Sequence, residues 1–323
     1  MAALTIGPLA AEPFRIATFN TELSRKGPGL LLRDILRGGD EQIDAAVALL
    51  VQARPDIVAL QGIDHDLRGT ALAAFQTALR DAGLTLDHAI GLRPNSGQRS
   101  GLDLNGNGRT GDADDAHGYG RFAGAGGMAL LSRFPLEIVT DYTAMLWRDL
   151  PQNIYPTGQD GPFGGPQVLA AHRLSSKGHW VVSATLPDGS AVEIMTYHAT
   201  PPVFDGPEDR NGRRNHDETA LWSWHLDTRT STAPFVILGV PNIDTQRGEG
   251  RPEAIEKLLA DPRVQSPFGN DPTADFRDPV PGDLRVDYLL PSAEWDVRAF
   301  GTLRDAAASR HSLLWADLDR RDP

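Results

Sequence analysis

The sequence predicts an α/β fold in which packed sheets carry helices on their outer faces. Short runs of β-branched and apolar residues, bounded by glycine and proline, recur along the whole chain and are typical of strands. These runs outnumber the segments with helical periodicity, and the two kinds alternate in the first part of the chain. The length of 323 residues is enough for one large α/β domain, or two small ones, with a buried core.

Individual elements follow from the same patterns, taken in chain order. The apolar runs predict strands over residues 14–21, 57–61, 127–132, 180–185, 192–197, 235–238, 286–290 and 313–318. Apolar residues spaced three and four apart predict helices over residues 43–53, 70–82, 217–226 and 253–259. Residues 94–126, which contain nine glycines, and residues 148–167, rich in proline and glycine, predict long irregular segments. Loops of this length in a compact domain usually serve a function or are held by a partner.

Composition excludes several classes of protein. No apolar run approaches the roughly 20 residues that a membrane-spanning helix needs. The absence of cysteine excludes disulfides, thiolate zinc sites, iron–sulfur clusters and a cysteine nucleophile. A net charge of −12 repels nucleic acid, so the sequence does not predict a sequence-specific nucleic-acid reader. It is consistent with an acidic enzyme that uses a bound cation as a bridge to phosphate.

Residues 2–11 of the N-terminal segment 1–12 are small and apolar, and the segment carries no basic region. They have two interpretations, a frayed tail or the remnant of an export signal. The second predicts a periplasmic or secreted protein, and the first a cytoplasmic one. Residues 13–323 are expected to form one domain that contains residues 94–126 as an insertion.

The insertion contains a pattern typical of a calcium loop. Oxygen-bearing side chains recur at every second position from Asp103 and are followed by glycine, as in D-x-[DN]-x-[DN]-G. The predicted ligands are Asp103, Asn105, Asn107, the carbonyl of Arg109, and Asp114 at position twelve, with Asp112 and Asp115 as alternatives to Asp114. A set of six to eight oxygens suits Ca²⁺ better than Mg²⁺, and such an ion would hold the loop in place. The alternative is a surface turn without an ion.

Seven short segments then occur in an order that is similar to a known family. They are FRIATFNTEL (14–23), PDIVALQGID (55–64), GMALLSRFP (127–135), TYH (196–198), FVILGVPN (235–242), LRVDYLL (284–290) and SRHSLLW (309–315). Together they resemble the endonuclease/exonuclease/phosphatase superfamily, which has the deoxyribonuclease-like fold, over about residues 13–320. Residues 200–217 and the calcium-like loop resemble a bacterial branch of exported phosphoesterases.

The resemblance implies a four-layered α/β sandwich, with two packed, mainly antiparallel sheets flanked by helices. It also implies hydrolysis of a phosphate ester by water with the help of Mg²⁺ or a similar ion. By position, the family's site residues correspond to Asn20 and Glu22 on the metal side, His198 as a phosphate-contacting or acid histidine, Asn242 of the Gly-Asp-x-Asn turn, His311 as the active-site histidine and Asp287 as its supporting acid.

Three positions depart from this pattern, and the family has an acid at each of them. The metal-binding glutamate is Gly62, the aspartate of Gly-Asp-x-Asn is Val240, and the aspartate of Ser-Asp-His is Arg310. A hard cation thereby loses its main anionic ligand, and a permanent positive charge takes the place of an acid. The sequence therefore predicts a degenerate active site in which Mg²⁺ or Mn²⁺ is doubtful.

Two interpretations of this degenerate site remain open. In the first, Arg310 joins His198 and His311 to bind an anion, such as a phosphate-bearing ligand, or the cleft binds a protein partner. Within this first interpretation, the alternative is that Arg310 pairs with a nearby acid such as Asp287 and only fills the former metal site. In the second interpretation the protein is an active phosphoesterase whose metal ligands have moved, with Asp64 and Asp244 as the candidate replacements.

Overall fold

Two large sheets form the frame of the molecule. The structure is a computed structural model that describes residues 13–277 and 280–321, so the predictions for residues 1–12 lie outside the described residues. The strands are β1 (Phe14–Asn20), β2 (Ile57–Ile63), β3 (His88–Ile90), β4 (Gly127–Ser132), β5 (Leu136–Asp141), β6 (Thr157–Gly158), β7 (Gly161–Pro162), β8 (His179–Thr185), β9 (Ala191–His198), β10 (Phe235–Val240), β11 (Ala274–Asp275), β12 (Asp283–Leu284), β13 (Tyr288–Pro291), β14 (Trp295–Leu303) and β15 (Leu313–Arg320). The helices are α1 (Leu30–Arg37), α2 (Glu41–Ala53), α3 (Thr70–Asp81), α4 (Gly165–Ala171), α5 (Arg210–Thr228) and α6 (Glu253–Leu259), with a 3₁₀ turn at Trp147–Asp149.

The first sheet has the strand order β14-β15-β1-β2-β4-β3, and the second has the order β13-β10-β9-β8-β5. Only β1 with β2 and β9 with β10 pair in parallel, and the other pairs in these sheets are antiparallel. Alternate residues of each central strand therefore face either the other sheet or the helices. This confirms the predicted sandwich of two mainly antiparallel sheets.

Three apolar clusters hold the layers together. Between the sheets, Ile16 and Ala59 pack with Ile194, Val236 and Leu238. The opposite face of the first sheet packs on the first three helices, and the opposite face of the second sheet packs on α5 and α6. The order helix, sheet, sheet, helix is the four-layered arrangement that the resemblance implies.

Helix α2 shows how local sequence builds an outer layer. Asp40 precedes it, and its carboxylate accepts a hydrogen bond of 3.1 Å from the backbone nitrogen of Ile43. A cap of this kind contributes about 1 kcal/mol to helix stability. Ile43, Ala46, Leu49 and Leu50 lie on one face of the helix and are buried against the sheet.

The largest error in the predicted boundaries concerns α5, which begins at Arg210 rather than at residue 217. Its first two turns bury polar side chains instead of apolar ones, so they carry no hydrophobic periodicity. Arg214, for example, donates hydrogen bonds to the backbone carbonyls of His117, Arg173, Leu174 and Ser175. The polar face of α5 thus fixes the neighbouring loops.

Other differences have similar causes. The sequence patterns did not predict β5, an edge strand with mostly exposed side chains, or β14, α1 and α4. The long segment 94–126 contains no named helix or strand, as predicted, whereas residues 148–167 contain the short hairpin β6–β7 and the start of α4. Among the described residues, no helix is both long and apolar enough to span a bilayer.

Candidate active-site cleft

The predicted site residues lie at one end of the sandwich, where four central strands finish. Asn20 and His198 are the last residues of β1 and β9, Val240 is the last residue of β10, and Gly62 lies next to the end of β2. Because both parallel pairs run in register, these ends lie side by side within each sheet. Strand β10 also packs across β1 and β2, so the two pairs face each other across a cleft.

One wall of the cleft carries a buried chain of polar side chains. The carboxylate oxygens of Asp287 lie 2.9 and 3.0 Å from Nδ1 of His311, and Nε2 of His311 lies 3.1 Å from the amide nitrogen of Asn20. The hydroxyl of Thr273 donates to Asp287 at 2.8 Å. Burial lowers the pKa of His311, but the charge and the hydrogen bond of Asp287 outweigh it, so this pKa lies above its ordinary value. Asp287 thus orients the ring of His311 and stabilises its charged form.

Arg310 pairs with Glu22 and not with Asp287. Its guanidinium donates to Oε1 of Glu22 from two nitrogens, Nε at 2.9 Å, and its backbone nitrogen donates to Oε2 at 2.9 Å. Ser309 adds a hydroxyl hydrogen bond to Oε2 at 3.1 Å. Burial raises the pKa of Glu22, but the hydrogen bonds from Arg310 outweigh it, so the pKa lies below its ordinary value. Both carboxylate oxygens of Glu22 are therefore engaged within the chain.

The backbone at Gly62 leaves no room for the acid that the family has there. Its φ of +71° lies in the left-handed region, at a point where the register between β2 and β4 shifts. A Cβ at this position would lie 2.4 Å from Oδ1 of Asn20 and 2.9 Å from the backbone nitrogen of Glu22. The strand end is therefore shaped around glycine.

The two aspartates considered as replacement ligands are engaged by nearby donors. Asp64 accepts hydrogen bonds of 2.8 Å from the hydroxyl of Ser24 and from the backbone nitrogens of Arg25 and Gly126. Asp244 accepts from three backbone nitrogens, those of Gln246, Arg247 and Arg285. Both carboxylates fix loops beside the cleft.

His198 is the last residue of β9 in the second sheet. Burial is the main reason why its pKa lies well below the ordinary value, and the positive charges of Lys177 and His311 lower it further. Its ring is therefore neutral near pH 7. Asn242, with a φ of +56°, donates from its side chain to the carbonyl of Ala199 at 2.8 Å and so fixes the turn that follows β10. Val240 is fully buried.

The cleft residues do not fit the Mg²⁺ or Mn²⁺ ion that the family implies. Position 62 offers no side-chain oxygen, and both oxygens of Glu22 accept hydrogen bonds from Arg310. Throughout the described part of the chain, there is no group of three or more histidine, aspartate or glutamate side chains that could hold a metal ion. A hard divalent cation requires several oxygen ligands with negative charge among them.

The predicted calcium loop lies in the insertion, next to the start of α5, where Arg210 donates a hydrogen bond to the carbonyl of Leu104. The carboxylate of Asp103 accepts hydrogen bonds from the backbone nitrogens of Gly106, Asn107 and Gly108, which fold the loop into a tight turn. Asn105 and Asn107 accept from backbone nitrogens two residues further on. Burial raises the pKa of Asp114, and the charges of Asp112 and Asp115 raise it further. The candidate ligand atoms of the loop are all oxygens, which suits Ca²⁺, and its neighbouring carboxylates repel one another.

Comparison with known proteins identifies the family. The model of the Endonuclease/Exonuclease/phosphatase family matches residues 17–311, which is most of the chain. The chain belongs to the endonuclease/exonuclease/phosphatase family. No curated protein matches it.

Several solved structures share the fold of this chain at low sequence identity. An endonuclease/exonuclease/phosphatase from Beutenbergia cavernae is 20% identical, with a TM-score of 0.60, over 96% of this chain and 72% of that one. The human Nocturnin catalytic domain with bound sulfate anion is 15% identical, with a TM-score of 0.54, over 97% of both chains. Sphingomyelinase C from Streptomyces griseocarneus is 18% identical, with a TM-score of 0.53, over 94% of this chain and 99% of that one. These similarities describe the fold and leave the substrate open.

The structure adds residues to the cleft that motif reasoning missed. Lys177 interacts electrostatically with His198 and Asp64, and Gln61 lies two residues before the end of β2 with its side chain buried. The signal for Gln61 was present, because alternation along β2 places it on the same face as Ile57 and Ala59. Lys177 precedes β8 in an irregular segment, and no sequence pattern marks it.

Proposed function

We propose that this protein is a member of the endonuclease/exonuclease/phosphatase family with little or no metal-dependent phosphoester hydrolysis. The observation that carries the proposal is the ion pair between Glu22 and Arg310, because it occupies the remaining carboxylate on the metal side. The shape of the backbone at Gly62 and the burial of Val240 also support it. The cleft is then retained to bind an anionic ligand or a protein partner, or to support the structure.

The retained polar chain favours a second candidate, a phosphoesterase with reassigned metal ligands. Asp287, His311 and Asn20 are connected as an acid–histidine pair with an amide beside it, which is an arrangement suited to orienting a reacting group. The engagement of Asp64 and Asp244 by three donors each weighs against this candidate.

A titration with Mg²⁺ and Mn²⁺ separates the two candidates. We expect hydrolysis of p-nitrophenyl phosphate and of bis(p-nitrophenyl) phosphate to stay at the level of buffer at every metal concentration. The His198→Ala variant should give the same flat response, because no turnover depends on the cleft. Metal-dependent turnover that His198→Ala abolishes would refute the proposal and establish the phosphoesterase.

We also propose that the insertion binds Ca²⁺ through Asp103, Asn105, Asn107, the Arg109 carbonyl and Asp114. Support comes from the sequence pattern, which places oxygen-bearing side chains at positions one, three, five and twelve of the loop. The ion would relieve the repulsion among the neighbouring carboxylates and hold the loop, without a role in the cleft.

Calcium removal tests this second proposal. When free Ca²⁺ is at a hundred times its dissociation constant, the free energy of unfolding of the part of the protein that unfolds together with the loop should rise by about 2.7 kcal/mol. EGTA should reverse the effect and expose the insertion to limited proteolysis. Asp103→Ala should abolish the calcium response, whereas Asp81→Ala at the exposed end of α3 should retain it. Equal proteolysis with calcium and with EGTA would indicate an ion-free turn.

A further inference from the structure

A groove on the helical side of the first sheet lies between α1, α2 and α3. It encloses about 470 Å³. Apolar side chains that the core leaves partly exposed line it from all three helices, and they include Ile35, Val47, Val51 and Ala78. The residues of the cleft do not line it. Contiguous apolar surface of this kind is typical of a site of protein–protein interaction.

The groove is also acidic. Its lining includes Asp34, Asp40, Asp44 and Asp81 and contains no basic residue. Asp34 and Asp40 are each paired with Arg25 at 3.2 Å. Asp44 and Asp81 are exposed, and within the described part of the chain their carboxylates make no ion pair or hydrogen bond. Two negative charges therefore stand uncompensated beside the apolar surface, which favours an apolar partner that carries positive charge.

Helix α1 carries an apolar side chain next to positive charge on its outer surface. Leu36 is 71% exposed. Arg33, three residues earlier, lies next to it on the helix surface, and Arg37 lies next to Arg33, four residues further on. Both arginines are exposed, and we call Leu36, Arg33 and Arg37 the α1 ridge.

The positive charge of the α1 ridge is only partly neutralised within the chain. The guanidiniums of Arg33 and Arg37 share one carboxylate, that of Asp34, at 2.8 and 3.8 Å. The same carboxylate is already paired with Arg25. The ridge and the groove also adjoin each other, because α1 forms one wall of the groove through Ile35. One region of the surface therefore carries an apolar, basic ridge beside an apolar, acidic groove.

We propose that two copies of the chain form a symmetric dimer in which the α1 ridge of each copy occupies the groove of the other. Each Leu36 then enters apolar surface, and Arg33 and Arg37 approach Asp44 and Asp81 of the other copy. A two-fold axis makes this contact twice in one interface. Because one chain carries both complementary surfaces side by side, the structure favours a second copy over a foreign helix as the occupant. This inference uses no cleft residue and goes beyond the proposed function.

Sedimentation velocity over the micromolar range of chain concentration tests the dimer. We expect the wild type to form dimers as its concentration rises. Leu36→Glu should raise the dissociation constant about tenfold or more, because it brings a negative charge to the acidic groove in place of an apolar side chain. Leu67→Glu is the matched control and should dimerise as the wild type does, since Leu67 is 90% exposed in the loop between β2 and α3.

Charge reversal gives a second test, in which the variants also control for each other's folding. Arg33→Glu with Arg37→Glu makes the ridge acidic, and Asp44→Lys with Asp81→Lys makes the groove basic. Each double variant alone should be monomeric, because its ridge and its groove carry charge of the same sign. An equimolar mixture should dimerise again, because the acidic ridge of the first then meets the basic groove of the second, and the two unaltered surfaces also match.

A wild type that stays monomeric throughout the micromolar range would overturn the proposal. Equal dissociation constants for Leu36→Glu and Leu67→Glu would do the same, because the dimer would then use another surface. So would a mixture of the two charge variants that stays monomeric although each is folded by circular dichroism. A monomeric wild type that binds a synthetic amphipathic helix of leucine and lysine would instead assign the groove to a foreign basic helix.

Discussion

Gly62→Ala is expected to destabilise the protein far more than the same substitution at Gly69. Both glycines have a left-handed backbone, with φ of +71° and +65°, so both variants lose about 1–2 kcal/mol from backbone strain. At Gly69 a Cβ would meet nothing within 4 Å, whereas at Gly62 it would lie 2.9 Å from the backbone nitrogen of Glu22. Overpacking of this kind costs a further 1–3 kcal/mol or so. Urea denaturation of the two variants measures the difference.

The clash also has a local consequence in the cleft. The amide oxygen of Asn20, 2.4 Å from the added carbon, must swing away, and this movement breaks the contact between Asn20 and His311. An NMR titration of the His311 ring should therefore change in Gly62→Ala and not in Gly69→Ala. Equal free energies of unfolding for the two variants would show that the strand end tolerates a side chain. In that case the family's glutamate could be restored by a single substitution.

The order of the motifs made the fold predictable, because each motif lies at the end of a strand whose apolar run is visible in the sequence. The ends of strands β1, β2 and β4 were predicted to within two residues. The positions of Asn20, Gly62 and His198 at or next to the ends of their strands followed from these predicted strands. Edge strand β5 was missed because its exposed side chains carry no pattern. Buried strands can be recognised from their runs of apolar residues, whereas exposed strands have no such runs.

The partners of the cleft side chains were harder to predict than their positions. The sequence left open whether Arg310 binds an anion or pairs with an acid such as Asp287. It pairs with Glu22, which is 288 residues away in the sequence. The two residues meet because Glu22 follows β1, Arg310 precedes β15, and these two strands are neighbours in one sheet. Glu22 also has a left-handed backbone, with φ of +49°, which no motif encodes. Pairings of this kind depend on rotamers and on tertiary placement, neither of which a spacing pattern contains.

Acidification below pH 6.5 is expected to destabilise the protein steeply. Histidines 172 and 179 are completely or almost completely buried, and burial is the main reason that their pKa values are low, about 3 for His179 and well below 6.5 for His172. In the unfolded chain both titrate near pH 6.5. Between these values the unfolded state binds more protons than the folded state, so stability falls as the pH falls. At pH 5, His179 should cost about 2 kcal/mol relative to pH 7.5, out of a total of about 5–15 kcal/mol, and His172 acts in the same direction.

His311 acts in the opposite direction, because Asp287 raises its pKa in the folded state. Its contribution to stability is complete below pH 6.5 and is lost as the pH rises through the folded-state pKa. Because the buried histidines outnumber His311, the free energy of unfolding should increase as the pH rises toward 6.5.

Urea denaturation at pH 7.5, 6 and 5 measures this slope, and a substitution assigns part of it. In the folded protein, Nε2 of His179 lies 2.8 Å from the carbonyl of Glu218, and Nδ1 lies 2.9 Å from the hydroxyl of Ser175. His179→Gln retains a donor for the carbonyl but cannot take up a proton. The slope between pH 6 and 5 should therefore decrease by about 1.2 kcal/mol per pH unit. His88→Gln, in the edge strand β3 of the first sheet, is the matched control. A slope that His179→Gln leaves unchanged would mean that other groups govern the acid transition, since this ring can contribute to it only by taking up a proton on unfolding.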